Sequence, residues 1–335
     1  MPSVSRILVN LSPSFFSRAC LAPFWDELNR EFVIEQTDCN TLEGIAPHLK
    51  GKDAVLMWNW PQFSDELLDA NPQLRFVGNI DITQGFARRL LARGIAVSVS
   101  RRGFSPAVSE LALALILACL RRTSNHHAAM WAKTDDWVKN FPGDINPHER
   151  QLTGRTVGIV GLGGVGGRLA QLLAPFHVQL RAYDPFLPGE VAAKVGAQLV
   201  SLDELARDSE IVVLCAAANE GSSHLFGRAQ IEALASHAVF VNVARASLVD
   251  SAALLERLQR GDLYAALDVF DREPLDLDSP LRALPNVYLT PHRAGGVDES
   301  VERILRYLLD DLRAFRDGQP RRYALSEAMI PSLDA

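Results

Sequence analysis

Arg245, Glu273 and His292 follow three successive apolar runs late in the chain, and their types suit a hydride-transfer site. An alcohol that gives up a hydride must also lose a proton, and an imidazole titrates close enough to neutrality to take it. A neighbouring carboxylate favours the imidazolium and fixes the ring tautomer. A guanidinium can polarise a keto oxygen and hold a carboxylate through paired N–H donors. Taken singly, each is an ordinary loop charge or turn histidine. Taken together, after strands whose carboxyl ends are where open α/β sheets bind ligands, they form a candidate site. Asp268 lies inside the second run, Ala265–Val269.

Such a site needs a hydride carrier. Gly161-Leu162-Gly163-Gly164-Val165-Gly166 follows the apolar run Thr156–Val160 and opens a stretch with apolar residues at Val165, Leu169, Leu172, Leu173 and Phe176. That spacing is helical. A bare GxGxxG is weak evidence, but strand, glycines and helix stand here in register. The first glycine makes the turn and the second admits a pyrophosphate. The third lets helix and strand pack closely, while the helix N-terminus offers free N–H groups. Asp184 stands eighteen positions beyond Gly166. A carboxylate there accepts hydrogen bonds from the adenine-ribose hydroxyls and repels a 2′-phosphate, so the expected cofactor is NAD rather than NADP.

The elements that must position these groups alternate between strand and helix. Strands are expected at Ile7–Asn10, Phe32–Gln36, Ala54–Trp58, Leu74–Val77 and Ala96–Val99, with helical stretches such as Phe15–Asn29 and Phe86–Arg93 between them. Pro106–Arg122 reads as a long helix, followed by a polar arm, Thr123–Arg150. A second series runs through Thr156–Val160, Gln179–Tyr183, Ile211–Cys215, Val239–Val243, Ala265–Val269 and Val287–Thr290. Ser201 and Glu204 form a capping-box pattern, and Asp250 and Gly261 bracket a helix carrying Leu254, Leu255 and Leu258. Val301, Ile304, Leu305, Leu308, Leu312 and Phe315 mark a last helix, expected to pack back on the first series.

At 335 residues the chain exceeds the usual size of one core, so two domains are expected. Its 48% apolar and 22% charged residues are those of an ordinary soluble globular protein. The net charge of −6 and the scattered arginines argue against nucleic-acid and membrane-surface partners. Cys20, Cys39, Cys119 and Cys215 show no metal-ligand spacing, so no metal is expected, and reduced thiols in the cytoplasm are. The run Leu111–Leu120 is far short of the roughly 20 residues that span a bilayer, and the first residues lack a signal-peptide layout. His126, His127 and His148 read as surface residues. Trp58, Trp60 and Trp137 could line a substrate pocket, and core or interface packing is the leading expectation for them.

Four segments carry a family resemblance: Leu152-Thr153-Gly154-Arg155-Thr156-Val157-Gly158-Ile159-Val160-Gly161-Leu162-Gly163, Val241-Asn242-Val243-Ala244-Arg245, Ala266-Leu267-Asp268-Val269-Phe270 with Glu273-Pro274, and Leu289-Thr290-Pro291-His292. In order and spacing they resemble the D-isomer-specific 2-hydroxyacid dehydrogenases, over about residues 94–296. The resemblance implies that Arg245 binds substrate, that Glu273 pairs with His292, and that His292 is the acid/base. It also implies cofactor contacts from Gly161, Gly163, Gly164, Val165, Gly166, Asp184, Ala244, Arg245, Asp268 and His292, with Asp268 near the nicotinamide carboxamide. The implied fold is two doubly wound α/β parallel-sheet domains. One is a flavodoxin-like substrate or lid domain from both chain ends (1–103 and 297–335), the other a Rossmann NAD-binding domain (104–296). Residues 106–150 would form the dimerisation helix and arm of a homodimer. The implied substrate is a small 2-keto or 2-hydroxy acid. The alternative is an NAD-binding regulatory or inactive homologue that acts through dimerisation.

The chain departs from the family in its lid. Two glycines whose backbone amides usually hold the substrate carboxylate are replaced within Gly78-Asn79-Ile80-Asp81-Ile82-Thr83-Gln84-Gly85. Asp81 must therefore point away, or the substrate is held differently. Arg101-Arg102 replaces a usual Pro-Gly, and is a candidate contact for a second anionic group or simply two solvated cations. Ala246 and Tyr264 stand where glycines are common.

Overall fold

The computed structural model describes residues 4–219 and 221–333. The chain divides into two compact units, residues 1–104 with 297–335, and residues 105–296.

The first unit holds a five-stranded, wholly parallel sheet of β1 (Arg6–Asn10), β2 (Val33–Thr37), β3 (Ala54–Met57), β4 (Phe76–Asn79) and β5 (Ala96–Val99), in the order β2-β1-β3-β4-β5. β1 and β3 read as continuous apolar runs because helices cover both sheet faces. One face is covered by the helix Asp298–Arg316, which buries Ile304, Leu305, Leu308, Leu309 and Leu312 against Phe24, Leu28 and Phe76. The 3.6-residue spacing of those side chains brings the chain's end back to its beginning. On the other face, Phe63, Phe86 and Leu90 pack with Ile45 and Val77.

Two expectations need correction here, and two short helices were not expected. Phe15–Asn29 is not one helix: it breaks at Arg18, extended at φ −73° and ψ 122°, into Pro13–Ser17, a 3₁₀ turn Ala19–Leu21 and Ala22–Glu31. Pro23 lies in the first turn of the last of these, where proline fits as it does not in a helix interior. Strand β4 begins two residues later than the apolar pattern suggests, because Leu74 closes a turn on the Asn71 carbonyl at 3.0 Å. Short helices at Leu42–Leu49 and Asp65–Asp69, each N-capped by a hydroxyl, had no periodicity long enough to reveal them.

The β4 shift places Ile80–Thr83 as the loop at that strand's carboxyl end. Asp81 Oδ1 accepts from the Ile82 N–H at 3.0 Å and lies 3.5 Å from Arg101 Nη1. Arg101 also donates to the Ser332 carbonyl at 3.2 Å. The loop carboxylate is thus answered by a cation of the same unit.

The second unit holds a seven-stranded parallel sheet: β6 (Thr156–Val160), β7 (Gln179–Tyr183), β8 (Ala197–Leu199), β9 (Ile211–Leu214), β10 (Ala238–Asn242), β11 (Leu263–Leu267) and β12 (Val287–Leu289). Their order is β12-β11-β10-β9-β6-β7-β8, a doubly wound sheet that reverses direction between β6 and β9. The three-residue β8 escaped the periodicity argument. Strands β9 to β12 end one or two residues earlier than expected, so Asp268 lies just beyond β11 rather than inside it.

The helix Ser105–Arg121 packs on the helix Gly164–Leu173 and on β10 and β11. By length and composition the stretch Arg101–Arg121 is apolar enough to cross a membrane. Val108, Ala112, Leu115, Ile116 and Leu120 supply its buried face. The arm is not simply irregular. Arg122 turns left-handed at φ 48°, and Thr123–Ala132 forms a second helix before an extended stretch. Met130, Trp131, Trp137, Val138, Phe141 and Ile145 are exposed along this arm. The Ser201–Glu204 capping box is present, Asp250 caps its helix through the Ala253 N–H, and Gly261 ends that helix at φ 79°.

Candidate active site

The glycine turn after β6 has the tight backbone its sequence implies. Gly161 sits at φ 88° and donates to the Tyr183 carbonyl at 2.8 Å. A Cβ there would stand 2.5 Å from the Ala216 Cα, and one at Gly166 would collide with the Gly161 carbonyl oxygen. Gly163, which precedes the helix Gly164–Leu173, faces open space. The turn is therefore closed on its protein side and open on its outer side, where the first N–H groups of the helix, including those of Gly164 and Val165, lack intrahelical partners. Asp184 follows β7. Its Oδ2 accepts from the Leu162 N–H at 2.9 Å and its Oδ1 from the Phe186 N–H at 3.0 Å, which ties the carboxylate across the glycine turn. The shape and charge of this cradle fit a dinucleotide whose ribose is unphosphorylated.

Arg245 follows β10, held by a residue the sequence reasoning missed. Asn242, 2% exposed, accepts from the Ala244 N–H and donates to the Arg245 carbonyl, both at 3.0 Å. Those bonds bury Ala244 and turn the exposed Arg245 outward in extended conformation, with Nη1 donating to the Ala244 carbonyl at 2.8 Å. The only signal was an amide in an otherwise apolar run.

His292 stands in the left-handed region at φ 50°. Its backbone N–H donates to the Asp268 carbonyl at 2.8 Å. Asp268 is fully buried. Its carboxylate accepts from the Thr290 hydroxyl (2.6 Å) and from the N–H groups of Arg293 and Ala294 (both 2.9 Å). Both carboxylate oxygens thus shape the loop that presents His292.

His292 Nδ1 and Glu273 Oε2 are 2.6 Å apart, and Glu273 Oε1 accepts from the Phe270 N–H at 3.0 Å. A carboxylate can only accept, so Nδ1 is the donor and Nε2 is left for a substrate. Partial burial pulls the Glu273 carboxyl upward. The hydrogen bonds from His292 and Phe270, with the charges of His292 and Arg245, outweigh it and hold Glu273 below the usual carboxylate range. Side chains of His292 and Glu273 remain 47% and 36% exposed, open to a small molecule. Arg245, Glu273 and His292 come together beyond β10, β11 and β12, and the glycine turn and Asp184 lie beyond β6 and β7 on the same carboxyl edge.

A doubly wound sheet with a glycine cradle and an acid/base pair along one edge is the architecture of nicotinamide-dependent dehydrogenases. The family model described as "D-isomer specific 2-hydroxyacid dehydrogenase, NAD binding domain" matches residues 113–294. The chain belongs to that family, and the matched residues fall within its second unit. It is 32% identical over 303 residues to a glyoxylate/hydroxypyruvate reductase B of Escherichia fergusonii, covering 87% of this chain and 90% of that protein. It is 31% identical over 291 residues to a D-3-phosphoglycerate dehydrogenase of Archaeoglobus fulgidus, covering 84% of this chain. It spans about half (52%) of that relative's length. Among solved structures, a phosphoglycerate oxidoreductase from Rhizobium etli superposes with a TM-score of 0.80 at 26% identity, covering 96% of this chain and 98% of that one.

Proposed function

We propose that the protein is an NAD-dependent D-2-hydroxyacid dehydrogenase that works chiefly as a 2-keto acid reductase. The observation that carries this reading is the 2.6 Å His292–Glu273 pair within the field of Arg245, on the sheet edge that also bears the glycine cradle. Gly161, Gly163, Gly164, Val165 and Gly166 would hold NADH, with Asp184 at its adenine ribose, and the bound cofactor would supply the hydride for C2. Ala244, Arg245, Asp268 and His292 line or shape the nicotinamide end of that site. His292 gives the Nε2 proton to the carbonyl oxygen as charge develops there, and Glu273 stabilises the imidazolium and fixes the ring. Arg245 holds the substrate carboxylate and polarises the keto group through its fork of N–H donors. In the reverse direction His292 takes the hydroxyl proton. Reduction is the favoured direction because NADH reduces keto acids downhill.

On this reading residues 1–103 and 297–335 form the substrate domain, and residues 106–150 the dimerisation helix and arm of a cytoplasmic homodimer. The arm's exposed aromatic residues support an interface there. The relatives named as glyoxylate/hydroxypyruvate reductases support a short 2-keto acid as substrate. A regulatory or inactive homologue could keep the acid/base pair, so turnover is what separates it from the enzyme. The test follows NADH absorbance with glyoxylate, hydroxypyruvate, pyruvate and longer 2-keto acids, for the wild type and His292→Ala. Turnover abolished by the substitution supports the assignment. Tight NADH binding with no turnover of any acid overturns it.

A further inference from the structure

The stretch after the helix Asp298–Arg316 does not trail from the first unit. The carboxylate of Asp311, 1% exposed within that helix, accepts from the N–H groups of Arg322 (2.8 Å) and Tyr323 (2.9 Å), which folds the chain back on its own helix. The ring of Tyr323 stacks on that of Tyr307, with centroids 4.2 Å apart. The Tyr323 carbonyl then accepts from the Val99 N–H at 3.0 Å, and the Leu325 N–H donates to the Val97 carbonyl at 2.9 Å. Ala324 thereby bridges Ser98 in antiparallel fashion. β5 is an edge strand, and an open edge is a template for unwanted pairing. Residues 322–325 cover it.

Edge protection does not account for residues 326–333. There a 3₁₀ turn, Glu327–Ser332, buries Ile330, which joins Leu325 and Leu333 in the apolar cluster of Phe86 and Leu90 on the helix Gln84–Ala92. The next two carbonyls are both taken. That of Ser332 accepts from Arg101 Nη2, and that of Leu333 from Gln84 Nε2, each at 3.2 Å. Arg101 Nη1 also stands 3.5 Å from Asp81 Oδ1. Asp81 lies within the loop Ile80–Thr83, and Gln84 directly follows it. One segment thus holds the loop at two points, although Leu333 is 249 positions from Gln84. Space-filling alone would be met by Ile330 and Leu333. Two polar tethers directed at the same loop are a further feature.

We propose that residues 326–333 are a strap that sets the conformation of the loop Ile80–Thr83, with Arg101 and Gln84 as its latch. The structure holds the closed state. In the open state Ile330 and Leu333 leave the apolar cluster and the latch bonds are lost, while the sheet remains intact. Openings of this kind lift a small cooperative segment off a stable core. The coupling runs both ways, since two linked sites change one another's equilibrium by the same factor. Loosening the strap frees the loop, and cutting the latch at the loop frees the strap. The device lies within one unit and is independent of the dehydrogenase chemistry.

Hydrogen exchange of the full-length chain, read by mass spectrometry, tests both directions. Ile330→Asp places a charge where the apolar cluster must receive it, which detaches the strap. Exchange in peptides spanning residues 80–87 should rise by about tenfold or more, with β1 and β3 unchanged. Arg101→Ala combined with Gln84→Ala leaves the apolar seat whole. It should raise exchange in peptides spanning residues 326–333, where the Met329 and Leu333 N–H groups close on the Ser326 and Ile330 carbonyls. A tail that merely fills space would keep its wild-type exchange in that double variant. Unchanged exchange over residues 80–87 in Ile330→Asp, with β1 and β3 still protected, overturns the proposal. Should Ile330→Asp loosen β1 and β3 as well, or fail to fold, the double variant decides alone: wild-type exchange over residues 326–333 refutes the latch.

Discussion

His292 turns Nδ1 to Glu273, so Nε2 is the nitrogen that must exchange the proton with substrate, and removing the ring removes the exchange. His292→Ala should lower kcat by about 10²- to 10⁴-fold, measured by NADH oxidation with saturating keto acid. Reduction consumes a proton and oxidation releases one. The reductive rate should therefore fall, and the oxidative rate rise, as pH climbs. Glu273 is held below the ordinary carboxylate range, so it stays ionised further into acid than a free carboxyl would. Its support for the imidazolium is present above that range and is lost only as pH falls through its lowered pKa. In Glu273→Gln the imidazolium loses its counter-charge, so kcat for reduction should fall while KM for the keto acid changes little, as steady-state kinetics will record. On the cofactor side, Asp184→Ala removes the carboxylate tied across the glycine turn. KM for NADH should rise and the preference over NADPH should shrink. An unchanged preference would exclude Asp184 as the ribose ligand.

At the scale of elements, the chain relies on turns that admit one residue type and on ion pairs between helices distant in sequence. Gly161→Ala would add a Cβ 2.5 Å from the Ala216 Cα, at a φ of 88° that an L side chain rarely adopts. The expected loss is about 1–3 kcal/mol of stability together with dinucleotide affinity, read by denaturant melts with and without NADH. In the first unit, Glu27 on the helix Ala22–Glu31 bonds Arg306 and Arg313 on the helix Asp298–Arg316. Those two hydrogen bonds bring its carboxyl down from 4.5 to about 2. Its contribution to stability is whole above the ordinary value and disappears as pH falls toward about 2. The gap in melting temperature between the wild type and Glu27→Gln should therefore close on acidification. A gap that persists at the acid end would show that the helices do not depend on this charge.

For the molecule as a whole, the two sheets share one plan: parallel strands, a reversal of strand order, and polar groups gathered at the carboxyl edge. The second unit gathers the glycine cradle and the acid/base pair, and the first gathers the Asp81–Arg101 pair with the strap that fastens it. The arm leaving the helix Ser105–Arg121 exposes Trp131 (82%) and Phe141 (78%), exposures that a free monomer surface seldom tolerates for aromatic residues so close in sequence. If the arm joins two copies, sedimentation of the wild type should give a dimer, and Trp131→Asp with Phe141→Asp should give a folded monomer. A monomeric wild type would remove the arm's assigned role.

The amino-acid sequence by itself determined the class of fold, the glycine cradle with Asp184, and the order Arg245, Glu273, His292. These are legible because each is local: a turn needs glycine at fixed positions, and a sheet's apolar runs end where loops begin. Tertiary structure alone decided what depends on contacts between segments far apart. It turned both oxygens of Asp268 onto the loop 290–294, made Asn242 the anchor of Arg245, and set Arg101 against Asp81. It also shifted β4 by two residues and made Asn10 the tie among three strand ends. A polar side chain in an apolar run carries no mark of which distant N–H or carbonyl it will meet. Burial makes that partner obligatory, and the packed fold supplies it.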